Sequence, residues 1–209
     1  MKPRNIVILW LLICLTGIFV GCSSGTRYEV HKNLLDNNAI LSANYSAVIW
    51  APTSLYSLNV QMLLLNMLDE LMDQLHLIDK KKGKYYLVLK VLEYNKVDSS
   101  ARRASGMFAG TDFIKAQITV INEDLIDRAK FAEILAEKKN VDKFVDRNTQ
   151  LSEYMRNSSE LAKTLMEMHE AHVFQGTIEK YDRSPGVLIL EKFLRNYAKE
   201  IIKWLHGTK

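Results

Sequence analysis

The chain reads as an α+β domain, a small mixed sheet packed by a long N-terminal helix and a C-terminal helix, carried behind a signal peptide and a flexible tether. Three patterns predict it. In 57–77, Val60, Leu64, Met67, Leu68, Leu71, Met72 and Leu75 recur at three- and four-residue spacing, the period of an amphipathic helix. In 113–121, Ile114, Ala116, Ile118 and Val120 alternate with Lys115, Gln117 and Thr119, which is a strand with one buried and one wet face. In 187–205, after the break Ser184-Pro185-Gly186, Leu190, Leu194, Tyr197, Ile201 and Leu205 mark a helix that closes the core.

Taken in order, the chain opens with Lys2 and Arg4, then an apolar run over 6–20 interrupted only by Thr16 and Gly17. A positive start followed by a run of this length is a secretory signal, since a bilayer-crossing helix needs about 20 apolar residues. The run ends Phe19-Val20-Gly21-Cys22. These four residues resemble the lipobox of bacterial lipoproteins, in which a small residue precedes a cysteine that is diacylated before the signal is removed. Phe19 departs from the usual Leu; Gly21 and the thiol of Cys22 keep the pattern. Cys14 follows the bulky Ile13 and does not compete as a cleavage site. The expectation is a lipid on Cys22, and the resemblance also implies outer-membrane sorting, because Ser23 rather than Asp follows the cysteine.

Removing 1–21 leaves 188 of the 209 residues, one domain's worth, with no free thiol once Cys22 is acylated. That excludes disulfide frameworks, thiolate metal sites and cysteine nucleophiles. Lys2 and Arg4 account for two of the 28 basic residues and the signal holds none of the 24 acidic ones, so the mature balance is +2. Mixed charge of this kind is a solvated surface and gives no nucleic-acid footprint.

The segment 22–44 reads as a polar, lipidated tether, although Leu34, Leu35, Ile40 and Leu41 leave room for a short helix or for packing on the domain that would order part of the arm, and the globular domain is placed at 45–209. Within it, Ala47-Val48-Ile49-Trp50-Ala51 is a strand closed by Pro52, and 85–94, rich in Tyr, Leu and Val, is an interior strand. The basic run 80–84 is a solvated turn. The stretch 97–112 holds Arg102-Arg103-Ala104-Ser105-Gly106-Met107-Phe108-Ala109-Gly110 and reads as a flexible loop. For 128–140 two readings stand: alternation allows a strand, whereas the Ala, Glu, Leu and Lys content favours a helix. Leu151, Met155, Ala162, Leu165 and Met166 suggest a helix capped near Asn148 or Thr149, and 171–181 a further strand.

Tyr45 with Ser46-Ala47-Val48-Ile49-Trp50, the long apolar helix, the strand 85–94, the Arg-Gly-Ala loop, the alternating strand and the closing helix together resemble a family of bacterial lipoproteins. The globular part of that family is similar to the N-terminal domain of TolB. The likeness covers about 45–121 and 187–205. This chain departs from it after the alternating strand, where Asn122-Glu123-Asp124-Leu125-Ile126-Asp127-Arg128 replaces an acidic turn with Thr-Gly-Lys. The resemblance implies docking on envelope proteins, since related folds occur in lipoproteins that activate peptidoglycan synthases or build secretion pores.

The residues point to no catalytic chemistry, and neither an enzyme nor a cofactor is expected. Gly106 and Gly110 are followed by no Gly-Lys-Ser or Gly-Lys-Thr, no Gly-x-Ser-x-Gly surrounds Ser105, and His169 and His172 lack the spacing of His-Glu-x-x-His. The two histidines are weak metal candidates, because residues three apart on a helix can share an ion but a site needs a third ligand. The expected role is a lipid-anchored, periplasm-facing interaction or assembly module that engages an envelope protein or further copies of itself. Arg102, Arg103, Met107 and Phe108 are the candidate interface, as exposed Arg and aromatic side chains anchor interfaces well. The alternative is a carrier of a small ligand or lipid, with an apolar pocket between sheet and helices.

Overall fold

The computed structural model describes residues 24–34, 44–51, 58–139, 150–183 and 189–206. Among the described residues five strands form one mixed sheet: β1 (Ser24–Asn33), β2 (Tyr45–Trp50), β3 (Tyr85–Asn95), β4 (Asp112–Asn122) and β5 (His172–Asp182), in the spatial order β1-β5-β4-β3-β2. All neighbours are antiparallel except β2 and β3, which are parallel, as their crossover through a helix requires. That helix is α1 (Leu58–Gln74); α2 (Ser99–Ser105) lies between β3 and β4, α3 (Arg128–Lys139) and α4 (Gln150–Glu167) between β4 and β5, and α5 (Leu190–His206) closes the chain.

One sheet face is covered by α1 and α5. Leu64, Leu68 and Met72 of α1, Leu89 of β3, Ile118 of β4 and Tyr197 of α5 are all 0% exposed in this layer. The polar groups buried with them are paired. Gln61 donates from Nε2 to the Ala51 carbonyl at 2.7 Å and accepts the Val91 N–H at 3.0 Å, tying α1 to the end of β2 and to β3. The Tyr197 hydroxyl donates to the Ile178 carbonyl at 2.7 Å, tying α5 to β5. Trp204 lies across the sheet against Phe174 and Tyr28, with ring centroids 5.1 and 5.4 Å apart. Gly176 makes that possible, because a Cβ there would sit 2.6 Å from both the Glu29 carbonyl oxygen and Trp204 Cη2.

The opposite face is divided. Near β2, α4 packs Ala162 and Leu165 on Ile49, Val88 and Ile121, and Phe131 of α3 joins them. Towards β1 the same face carries the cross-strand row Arg27–Glu179–Lys115–Glu93, one residue from each of four strands. Its alternating charges form ion pairs of 3.3 Å, Arg27 to Glu179, and 3.6 Å, Lys115 to Glu179. This is why β4 alternates in burial at its start and is buried on both faces at its end.

Two sequence expectations change and one open reading is decided. The start of the proposed tether is strand β1, paired along its length with β5. Thr26, Tyr28 and Val30 turn towards the α5 face, so this end of the segment is part of the sheet and not a flexible arm. The expected loop 97–112 contains α2 and a 3-10 turn, Gly106–Ala109. The stretch 128–139 is a helix: Asp127 Oδ1 accepts the N–H groups of Ala129 and Lys130 at 3.0 and 3.2 Å, an N-cap that starts α3. The region expected to cap α4, Asn148 and Thr149, lies outside the described residues, as does Cys22.

Candidate functional site

The start of β1, the end of β3, the start of β4 and the end of β5 meet at one end of the sheet, and the sequence-predicted interface is held there. Ser24 pairs with Asp182, Asp182 with Asp112, and Phe113 with Asn95. Over this end runs α2. Asp98 caps it, accepting from the Ser100 and Ala101 N–H groups and from the Ser100 hydroxyl. These bonds, the Ser100 hydroxyl first, hold the Asp98 carboxyl below the usual carboxylate range.

The four candidate residues separate into different roles. Arg102 is not part of an exposed surface. It is 2% exposed, and its guanidinium Nη2 lies 2.9 Å from Oδ2 of the equally buried Asp112 and donates to the Asp182 carbonyl at 3.3 Å. Asp112 also accepts the Val97 N–H at 2.7 Å. Arg102 is therefore the bolt that fixes α2 to β4 and β5, a role that depends on two partners brought in by the fold. Arg103, one position on, is exposed. Phe108 stands on the 3-10 turn at 88% exposure, flanked by Gly106 and Gly110 with φ of 54° and 119°. Those angles suit glycine and let the turn leave α2 sharply and return to β4. Met107 shares the turn, and its side chain lies outside what is described.

Beside this end, Arg27, Glu93, Asn95, Thr111, Phe113, Glu179, Tyr181 and Arg183 line an open cleft of about 650 Å³. Arg183 donates from Nε to the Thr111 hydroxyl at 3.0 Å, which sets a second cation next to the turn. A further cleft of about 580 Å³ lies outside α1 and α5, lined by Leu63, Met67 and Ile189 together with the 3.1 Å pair Arg195–Glu70. Both are surface features; between the sheet and α1 and α5 the described side chains named above pack into one apolar cluster.

His169 and His172 do approach each other, but not along a helix. His169 is exposed in the 3-10 turn that follows α4, and His172 is the buried first residue of β5. Their rings meet edge to face at 5.2 Å, and His172 Nε2 lies 3.1 Å from the Leu165 carbonyl, to which it donates as the neutral tautomer. Burial pushes the His172 pKa below its ordinary value, the Leu165 bond opposing that shift. Among the described residues no three His, Cys, Asp or Glu side chains are placed to hold a metal ion. Nor, among them, is any helix long and apolar enough to cross a membrane.

Sequence reasoning set Tyr45 at the start of the domain but missed its burial. It is fully buried, edge to face with His206 at 5.7 Å and tilted against Tyr85 at 6.4 Å, and its hydroxyl has no hydrogen-bond partner among the described residues. Burial raises its phenol pKa well above the ordinary value. Nothing local in Asn44-Tyr45-Ser46 signals this, since both neighbouring rings arrive from distant segments.

Fold and site together define a small α+β domain, a mixed five-stranded sheet flanked by an N-terminal and a C-terminal helix. No family model matches the chain, and no curated protein matches it. Among solved structures it is similar to PelC from Paraburkholderia phytofirmans. A point variant of that protein, a dodecamer, matches with a TM-score of 0.47 at 8% identity, covering 90% of this chain and 100% of that chain. A second PelC dodecamer matches with a TM-score of 0.45 at 9% identity and the same coverage.

Proposed function

We propose that this chain is a lipid-anchored envelope protein, held on the outer membrane through Cys22 and facing the periplasm, that acts as a non-enzymatic interaction or assembly module. In this reading its globular part is TolB-N-terminal-like, supported by the mixed sheet between its first and last long helices. The signal 1–21, with Gly21 before Cys22, supports the anchor.

The observation that carries the interaction role is the outer edge of β1 over Ser24–Val30. Among the described residues β1 ends the sheet and pairs with β5, and it runs regularly until the bulge between Val30 and Lys32. An open strand edge is a template for another strand, whose backbone N–H and C=O groups supply affinity while adjoining side chains supply selectivity. Here the adjoining side chains are the charged row that begins at Arg27, itself 77% exposed at its side chain. The occupant is an extended segment of an envelope protein or of a second copy.

A photoreactive amino acid at Val30, 52% exposed on β1, tests this in intact cells, with Leu125, 51% exposed beyond the other end of β4, as the control position. The expected result is a discrete intermolecular crosslink from Val30 and none from Leu125. Equal or absent crosslinking at both positions, with the protein still on the membrane, would contradict the proposal.

A further inference from the structure

We infer that the Gly106–Ala109 turn is a second contact with the bilayer, in which Phe108 seats in the leaflet that holds the lipid on Cys22. The inference rests on the lipid-anchored reading proposed above and adds to it an orientation and a membrane-binding residue.

Three observations lead there. The first is reach. Cys22 precedes Ser24 by two residues, so its Cα lies within about 7 Å of the start of β1 whatever path the backbone takes. The eleven-residue β4 extends about 35 Å, so an anchor with that reach fixes which end of the sheet meets the membrane. The second is placement. The register sets Ser24, Asp182 and Asp112 side by side, and the segment carrying Phe108 enters β4 at that Asp112. The membrane-proximal end is thus the end that carries the turn. The third is chemistry. Phe108 exposes 88% of its surface on a short turn, and the Arg102–Asp112 ion pair holds α2, from which the turn departs, against the strand ends.

An apolar ring presented rigidly beside cations is how a peripheral protein seats at a lipid surface: the ring enters the acyl boundary while arginines meet anionic headgroups. Arg103 and Arg183 are both exposed; Arg103 stands on α2, and Arg183, just past β5, is held beside the turn by its bond to Thr111. The acidic residues of the same end are Asp98, which caps α2, Asp112, which is buried against Arg102, Glu93 and Glu179, which lie in the cross-strand row with Lys115 and Arg27, and Asp182 at the end of β5. A diacylated Cys22 holds the chain on the membrane by itself, so what a seated Phe108 adds is orientation: it would stop the domain from swivelling about its short N-terminal link.

The chain's cysteine content provides the test. Of two cysteines, Cys14 leaves with the signal and an acylated Cys22 has no thiol, so Phe108→Cys introduces one labelling site. Leu75→Cys, 55% exposed after α1 at the opposite end of the sheet, is the control. Full-length protein processed in bacterial membranes is purified in detergent and labelled with a thiol-reactive NBD dye. It is then reconstituted into vesicles of phosphatidylethanolamine with a minority of phosphatidylglycerol. The expected result is one dye per chain and a several-fold rise in emission at position 108, reversed by doxyl-labelled lipids, with no change at position 75. One dye per chain with no rise at position 108 would overturn the inference while leaving the lipid anchor standing. Two dyes per chain would mean a free Cys22 thiol and would overturn both.

Discussion

Replacing Arg102 with Met separates a structural arginine from a surface one. The substitution keeps the aliphatic bulk of the side chain and removes the guanidinium, leaving the Asp112 carboxyl buried with the Val97 N–H as its remaining partner in this network. Both members of the pair are 2% exposed, so water does not replace the lost contact. Breaking a buried pair in this way costs about 3–5 kcal/mol, far more than a surface pair contributes. In a domain of this size each kcal/mol moves the melting temperature by about 2–4 °C, so Arg102→Met is expected to melt roughly 6–20 °C lower. Circular dichroism in thermal and urea denaturation reads both quantities. Two comparisons isolate the cause. Arg103→Met, the exposed neighbour, should stay within about 0.5 kcal/mol of the parent. Adding Asp112→Asn to Arg102→Met should recover part of the loss, because it removes the stranded charge. Equal stability of the Arg102→Met and Arg103→Met variants would refute the assignment of Arg102 as the bolt.

Tyr45→Phe removes a buried hydroxyl without a described partner and is expected to leave stability unchanged or raise it by up to about 1 kcal/mol in urea denaturation. A clear loss would place a partner on that hydroxyl. Gly176→Ala puts a Cβ 2.6 Å from Trp204 and the Glu29 carbonyl and should cost about 1–3 kcal/mol, with a change in Trp204 fluorescence as the indole is displaced. For His172 the folded pKa lies below the ordinary 6.5, so the unfolded chain binds the proton more readily. Its contribution is present above pH 6.5 and is lost as the pH falls from there towards the folded pKa. His172→Gln should flatten the fall in stability across that window, measured as urea midpoints at successive pH values.

The two long helices that flank the main core and the central strand are legible because each repeats its apolar residues at the period of its own structure. The buried stripes of α1 and α5 and the alternation of Ile114, Ala116, Ile118 and Val120 coincide with the observed core, save Leu75, which lies just past the end of α1 and is 55% exposed. Strand β1 is harder to see. An edge strand buries little, and its alternation of Thr26, Tyr28 and Val30 with Arg27, Glu29 and His31 is interrupted by the bulge, so polarity outweighs period. The segment 128–139 has period-2 alternation and yet is helical, because Phe131 packs into the cluster that α4 covers and Asp127 supplies a cap. Arg102 and Arg103 are equivalent as text. What divides them is Asp112 and Asp182, the latter 80 residues away, which no local pattern connects to an arginine in a seven-residue helix. Phe108 could be picked out, since it is an aromatic residue between two glycines. Its place beside the start of β1 follows only from the sheet order.

Intact-mass spectrometry of the chain extracted from bacterial membranes, run beside Cys22→Ser, bears most directly on the lipid-anchored reading. The expected species begins at Cys22, lacks 1–21 and carries the mass of a diacylglyceryl group, while Cys22→Ser keeps its signal and gains no lipid. A mature chain that begins at another residue, or one with an unmodified Cys22, would contradict the reading and with it the orientation assigned to Phe108.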